Sequence, residues 1–156
     1  MSPEAAADLD LVSLFNAVIE QAVPAMHGLG IRVAELCPGH VVATAPLAGN
    51  SNHMGTLYAG TLFGLGEMLG GALFASGFDV ERFYPTVKDV QIRFLRPARS
   101  DVRAEASLSD AELDRLRVES ERNGKAEFVL EATITDAAGT VVATTLGTYQ
   151  IRRNQS

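Results

Sequence analysis

Glu67 is the one charged residue in an otherwise apolar stretch running from 55 to 78. A carboxylate among apolar neighbours loses hydration, so its pKa rises unless it is paired, while close packing can hold it rigidly. Such a group suits work as a general base or a nucleophile. Just ahead of it, Tyr58, Ala59 and Gly60 stand where the same stretch would open a helix. The first amides of a helix lack intrahelical acceptors and sit at the positive end of its dipole. They can hold a developing oxyanion.

The remaining candidates are weaker. Lys88, Arg93, Arg96, Arg99 and Arg103 form the densest basic run of the chain. Arg suits phosphate through its planar fork, although such a run also reads as a solvated strand face. His27, His40 and His53 lack metal-ligand spacing, and Cys37, followed by Pro38-Gly39, has no activating base beside it. No metal site is expected. Glu67 itself has a plainer reading, as a buried carboxylate bonded to backbone.

Elements that could hold these groups follow from periodicity. Leu11, Leu14, Phe15, Val18 and Ile19 recur at helical spacing over 9–23, with Pro24 marking an end. Short β-branched runs at 31–36 and 41–45 flank a Pro-Gly turn, and 47–56 is a polar loop. An apolar helix is then expected from 56 or 57 to 76. Strands follow at 90–94 and 102–108, a charged helix at 109–122 with Ser109 or Asp110 as its cap and Asn123-Gly124 as its stop, a strand centred on 128–134, a turn at 136–139, and a closing strand at 140–151. Strands joined by short turns argue antiparallel pairing, hence an α+β fold. A helix apolar all round needs wrapping, and a curved antiparallel sheet would bury it.

Composition narrows the class. The 156 residues carry a net charge of −6, which argues against a nucleic-acid partner, whose electrostatic grip needs a basic face. A single Cys excludes a disulfide framework. The N-terminus has no basic n-region or apolar h-region, so a cytoplasmic location is expected. The 55–78 stretch is long enough to cross a bilayer, but Glu67 at its middle and the lack of flanking basic clusters oppose a membrane span. One domain over 1–156 is expected, with its core at about 28–152.

The segment 52–67, Asn-His-Met-Gly-Thr-Leu-Tyr-Ala-Gly-Thr-Leu-Phe-Gly-Leu-Gly-Glu, resembles the signature of hotdog-fold thioesterases. It is most similar to the PaaI-like and YiiD C-terminal-type branch. Asn52, Gly55-Thr56, Gly60 and Glu67 match in type and spacing, and 90–98 resembles the strand that follows the family's helix. Two positions depart from the pattern. Tyr58 stands where the family most often has His, which removes a proton carrier at neutral pH, and Ala59 replaces a frequent Gly.

The resemblance implies an acyl-CoA or acyl-carrier-protein thioester hydrolase. Glu67 would activate water or attack the carbonyl, and the Ala59 and Gly60 amides with Asn52 would stabilise the oxyanion. Tyr58, Leu62, Phe63, Arg93 and Arg96 would contact substrate, with the tail in a tunnel beside Leu62, Phe63, Leu69 and Phe74. No cofactor is implied beyond coenzyme A as part of the substrate. Glu67 lies eight residues past Ala59, about 12 Å along a helix rising ~1.5 Å per residue. One carbonyl cannot touch both, so a homodimer or homotetramer with shared sites is expected. A non-catalytic acyl-binding protein and a hydratase or dehydratase using His53 stay as alternatives.

Overall fold

The computed structural model describes residues 3–155. In chain order the elements are α1 (Pro3–Ala22), α2 (Pro24–Gly28), β1 (Arg32–Cys37), β2 (His40–Ala45), α3 (Ala59–Gly77), β3 (Phe83–Phe94), β4 (Val102–Ser107), α4 (Asp110–Asn123), β5 (Lys125–Asp136) and β6 (Val141–Arg153). All strand pairs are antiparallel, in the order β1-β2-β4-β5-β6-β3. α3 packs against every one of the six strands, which obliges the sheet to curve around it. This is the expected α+β hotdog arrangement.

The core follows from two periods meeting. Leu65, Leu69, Ala72 and Leu73 of α3 are fully buried. They meet the inward residues of alternating strands, such as Ala126, Phe128, Leu130, Ala132 and Ile134 of β5. Burying a side chain of Leu size contributes about 1.5–3 kcal/mol, so α3 is held chiefly by the sheet. Among the described residues no helix is long and apolar enough to cross a membrane.

Pro24 marks the end of the first helix as expected: α1 stops at Ala22, and Pro24 opens the short α2 at its first helical position, where its missing N–H costs nothing. One expected boundary shifts. β3 starts seven residues before the expected 90, because a register shift between Val87 and Asp89 interrupts the alternation that would reveal it. α4 is bounded as its sequence suggests: the Ser109 side chain accepts the Glu112 N–H at 3.1 Å, and Gly124 ends it in the left-handed conformation.

The sheet's two edges differ. At the β1 edge, Asn16 of α1 imitates a further strand: its Oδ1 accepts the Val33 N–H at 2.9 Å, and its Nδ2 donates to the Val33 carbonyl at 3.0 Å. The β3 edge, 12 residues long, has no strand beyond it. Val87, Phe94 and Leu95 are exposed on or just past it.

Candidate functional site

The loop before α3 is built by two asparagines. Asn50 is buried. Its Nδ2 donates to the carbonyls of Leu29 (2.6 Å) and Pro46 (2.9 Å), its Oδ1 accepts from Thr61 Oγ1 (3.2 Å), and its own carbonyl takes the Tyr58 N–H (2.8 Å). Asn52 organises the next turn. Its Oδ1 accepts the N–H groups of Met54 (2.9 Å) and Thr56 (3.0 Å), and its Nδ2 lies 2.9 Å from Thr56 Oγ1. Gly55 completes that turn at φ +75°, a conformation other residues rarely adopt.

Tyr58 is the N-cap of α3 but makes no side-chain cap. Its backbone N–H is spent on Asn50, so it is not free for an oxyanion, contrary to the expectation of three available amides. The amides of Ala59 and Gly60 make no hydrogen bond among the described residues, whereas the next two, of Thr61 and Leu62, both reach the Tyr58 carbonyl. The Tyr58 ring lies across Gly60 so closely that a Cβ there would collide with it. Gly60 is thus needed for Tyr58 to adopt this position.

A groove of about 310 Å³ opens at this helix start, lined among others by Asn52, Thr56, Ala59, Leu62, Phe94 and Arg96. A larger depression, about 440 Å³, lies at the other end of α3. There Arg117 donates to the Gly77 carbonyl at 3.0 Å and Glu121 is paired with Arg82. Arg117 thus ties α4 to the end of α3, Glu121 pairs with Arg82 ahead of β3, and none of the expected site residues lines this depression.

Glu67 does not line the groove. Its side chain is half-buried, no hydrogen bond or ion pair engages its carboxylate among the described residues, and burial pushes its pKa up. Ala59, Phe63, Glu67, Gly71 and Ala75 form the stripe of α3, spaced four apart, that the sheet leaves at least partly uncovered. The free amides and the carboxylate therefore share one stripe at its start and middle, about 12 Å apart by helical rise.

The chain matches the family described as a domain of unknown function (DUF4442) over residues 12–151. It belongs to the DUF4442 family. A Pseudomonas aeruginosa protein of unknown function, named a probable thioesterase, is 44% identical and superposes with a TM-score of 0.84, over 91% of this chain and 95% of that one. A Chlorobaculum tepidum protein of unknown function shares the fold (TM-score 0.83, 20% identity, 92% and 95% covered). So does a Haemophilus influenzae thioesterase (TM-score 0.70, 20% identity, 91% and 90% covered). Among curated proteins, none matches. The hotdog-fold thioesterase superfamily expected from the motif is therefore the one to which this DUF4442 chain belongs.

The other expected site residues divide in the DUF4442 chain. Arg96 lines the groove, but Arg93 lies in a separate depression on the outer sheet face with Glu131 and Thr144. Lys88 pairs with Glu127 at 2.7 Å and Arg103 with Glu105 at 2.7 Å, so both serve surface ion pairs. Leu62 borders the groove, and Phe63, 40% exposed, faces out on the Glu67 stripe. Leu69 and Phe74 are packed into the core, so they line no tunnel in the single chain. His53 is exposed in the loop. Among the described residues no group of three or more His, Cys, Asp or Glu could hold a metal ion.

Two residues beside the site escape sequence reasoning. Asn50 has the same residue type as Asn52 two positions on, and spacing alone does not tell them apart. Tyr149 of β6 donates its hydroxyl to the Glu67 carbonyl at 2.9 Å. Its partner is 82 residues away, and the only local sign is the small Gly147 on the same inward face.

Proposed function

We propose that the protein hydrolyses acyl thioesters, with coenzyme A or a carrier protein as the thiol, at two equivalent sites each shared between two copies of the chain. The observation that carries this reading is the stripe on α3, with unsatisfied Ala59 and Gly60 amides at its start and an unpartnered Glu67 carboxylate about two turns on. An antiparallel pair of such helices would bring the amides of one copy beside the carboxylate of the other. The contrast between the capped β1 edge and the bare 12-residue β3 edge supports pairing through β3.

In the shared site, the thioester carbonyl would lie in the groove with its oxygen toward the Ala59 and Gly60 amides. Those amides stabilise the tetrahedral oxyanion, and Asn52 orients the carbonyl or the water. Glu67 of the other copy takes a proton from water, or attacks the carbonyl itself, and the thiolate departs. Arg96, at the groove, would meet the coenzyme A phosphates. Tyr58, a phenol where the hotdog-fold thioesterase signature that the segment resembles has His, would act as a wall over Gly60 rather than as a proton carrier. We infer a cytoplasmic enzyme.

The deciding experiment follows thiol release by the purified protein from acyl-CoAs of increasing length and from aryl-CoAs, beside Glu67→Gln. General-base catalysis contributes about 10²–10⁴-fold, so turnover should fall by that order in a variant that stays folded. Equal turnover in both proteins would reject Glu67 as the acting group. Absence of thiol release with any substrate would leave an acyl-binding protein as the better reading.

A further inference from the structure

Among the described residues no hydrogen bond or ion pair holds the half-buried Glu67 carboxylate, so its place depends on how α3 sits on the sheet. All six strands share in that seating, and β6 presses most closely on two of the helix glycines. Along β6, Thr145, Gly147, Tyr149 and Ile151 alternate onto the helix-facing side, all buried. Thr145 meets α3 at Gly66, where an added Cβ would lie 2.5 Å from Thr145 Cγ2. One turn on, the Tyr149 ring fills the space a Cβ on Gly70 would need. The same ring folds back over Gly147, where a Cβ would lie 2.5 Å from its Cε2. One helix glycine, Gly70, and one strand glycine, Gly147, thus make room for a single aromatic ring, while Gly66 makes room for Thr145.

That ring is braced and its hydroxyl is aimed. Phe128 of β5 stacks on it, with centroids 5.3 Å apart and planes 19° from parallel. The hydroxyl, carried between sheet and helix, donates to the Glu67 carbonyl at 2.9 Å. We infer that Tyr149 is the positioning residue for Glu67: bonded to the carbonyl of that residue, it fixes the height and rotation of α3 on β6 and with them the point at which the carboxylate faces substrate. The phenol pKa is raised by burial and then by the Glu67 carboxylate, which agrees with the two groups being neighbours and keeps the phenol a neutral donor. A neutral donor already committed to a backbone carbonyl transfers no proton, so Tyr149 acts through Glu67 and not on substrate.

This inference rests on the thioesterase reading for its kinetic arm only. Tyr149→Phe retains the ring, the stack and the fit to Gly70 while deleting the hydroxyl. Phe128→Leu is the control, since it loosens the same packing but leaves the hydroxyl. In acyl-CoA hydrolysis Tyr149→Phe should lower kcat about tenfold or more with KM within about twofold, because small displacements of a reacting group cost rate rather than ground-state binding. Hydrogen exchange, read without substrate, should quicken at the amides of residues 67–71 in Tyr149→Phe, and over β5 and α3 together in Phe128→Leu. A kcat equal to wild type, or a loss no greater than in Phe128→Leu, would overturn the inference while the thioesterase reading stands. If the wild type releases no thiol, that reading fails, and unaltered exchange at 67–71 would overturn the anchoring as well.

Discussion

Thr61, in the first turn of α3, donates its hydroxyl to Asn50 Oδ1 at 3.2 Å, and through Asn50 the helix start is tied to the carbonyls of Leu29 and Pro46. One buried side chain therefore joins the segment before β1, the loop after β2 and the opening of α3. Asn50→Ala would leave two carbonyls and the Thr61 hydroxyl without this partner. An unsatisfied buried polar group costs about 1–3 kcal/mol, so the variant should be destabilised by at least that order in denaturant unfolding. Asn52→Ala, in a more exposed turn, should cost less. Equal losses in the two variants would contradict this division of labour.

Glycine positions on α3 separate close packing from open space. Gly66 lies against Thr145, whereas a Cβ on Gly71 would meet nothing within 4 Å in the single chain. Gly66→Ala should destabilise by about 1–3 kcal/mol through overpacking. Gly71→Ala should raise the stability of the isolated chain by up to about 1 kcal/mol, the helix-propensity difference. Thermal unfolding at low and high protein concentration reads both effects. A Gly71→Ala protein that is less stable only at high concentration would mean that a second copy approaches there.

The fold was legible where local signals and burial agree. The Ser109 cap, Gly124 and the alternation of 128–134 each act within a few residues, and each matches the structure. The motif around Gly55-Thr56 and Glu67 pointed to the right superfamily because the loop bonds of Asn52 and the helix start are themselves local. Pro24 marked the end of α1 correctly, and at the first position of α2 it also starts the next short helix. The first half of β3 was hidden by its register shift. Asn16 and Tyr149 were invisible for a different reason: each gains its role from a partner brought close only by folding, 17 and 82 residues away.

Burial holds the Glu67 carboxyl above its ordinary value of 4.5, so the folded chain favours the neutral acid. The sign of the stability effect follows. Below 4.5 the acid is protonated in both states and Glu67 costs the fold nothing. As pH rises past that value the unfolded chain ionises first, and the penalty grows until the folded carboxyl has ionised too. Thermal unfolding of wild type and Glu67→Gln between pH 4 and pH 8 should show a gap in Tm that widens with pH in favour of the Gln variant. A gap that narrows instead would mean that the carboxylate finds a partner in solution. In the proposed mechanism, with Glu67 as the base, the same shift should displace the acidic limb of kcat/KM above the ordinary carboxylate range, because the base must be ionised to act.

The proposed sharing of each site between two copies makes a prediction that a site within one chain does not. Ala59 is the first residue of α3, and Tyr58 before it has φ −60° and ψ 135°. Both conformations accept a following proline, so Ala59→Pro deletes one oxyanion donor with little strain on the helix. Loss of such a donor costs about 10²–10³ in kcat. Glu67→Gln and Ala59→Pro should each be nearly inactive alone. Unfolding and refolding them together should give mixed dimers in which one site carries both changes and the other carries neither. With random pairing about a quarter of the wild-type sites should return, because half of the dimers are mixed and each of these has one intact site. The measurement is thiol release after co-refolding at equal concentrations, with size-exclusion chromatography to follow the dimer. Activity that stays at the level of the separate variants, in a mixture shown to be dimeric, would require amides and carboxylate to act within one chain. The 12 Å between them on one continuous helix argues against that outcome.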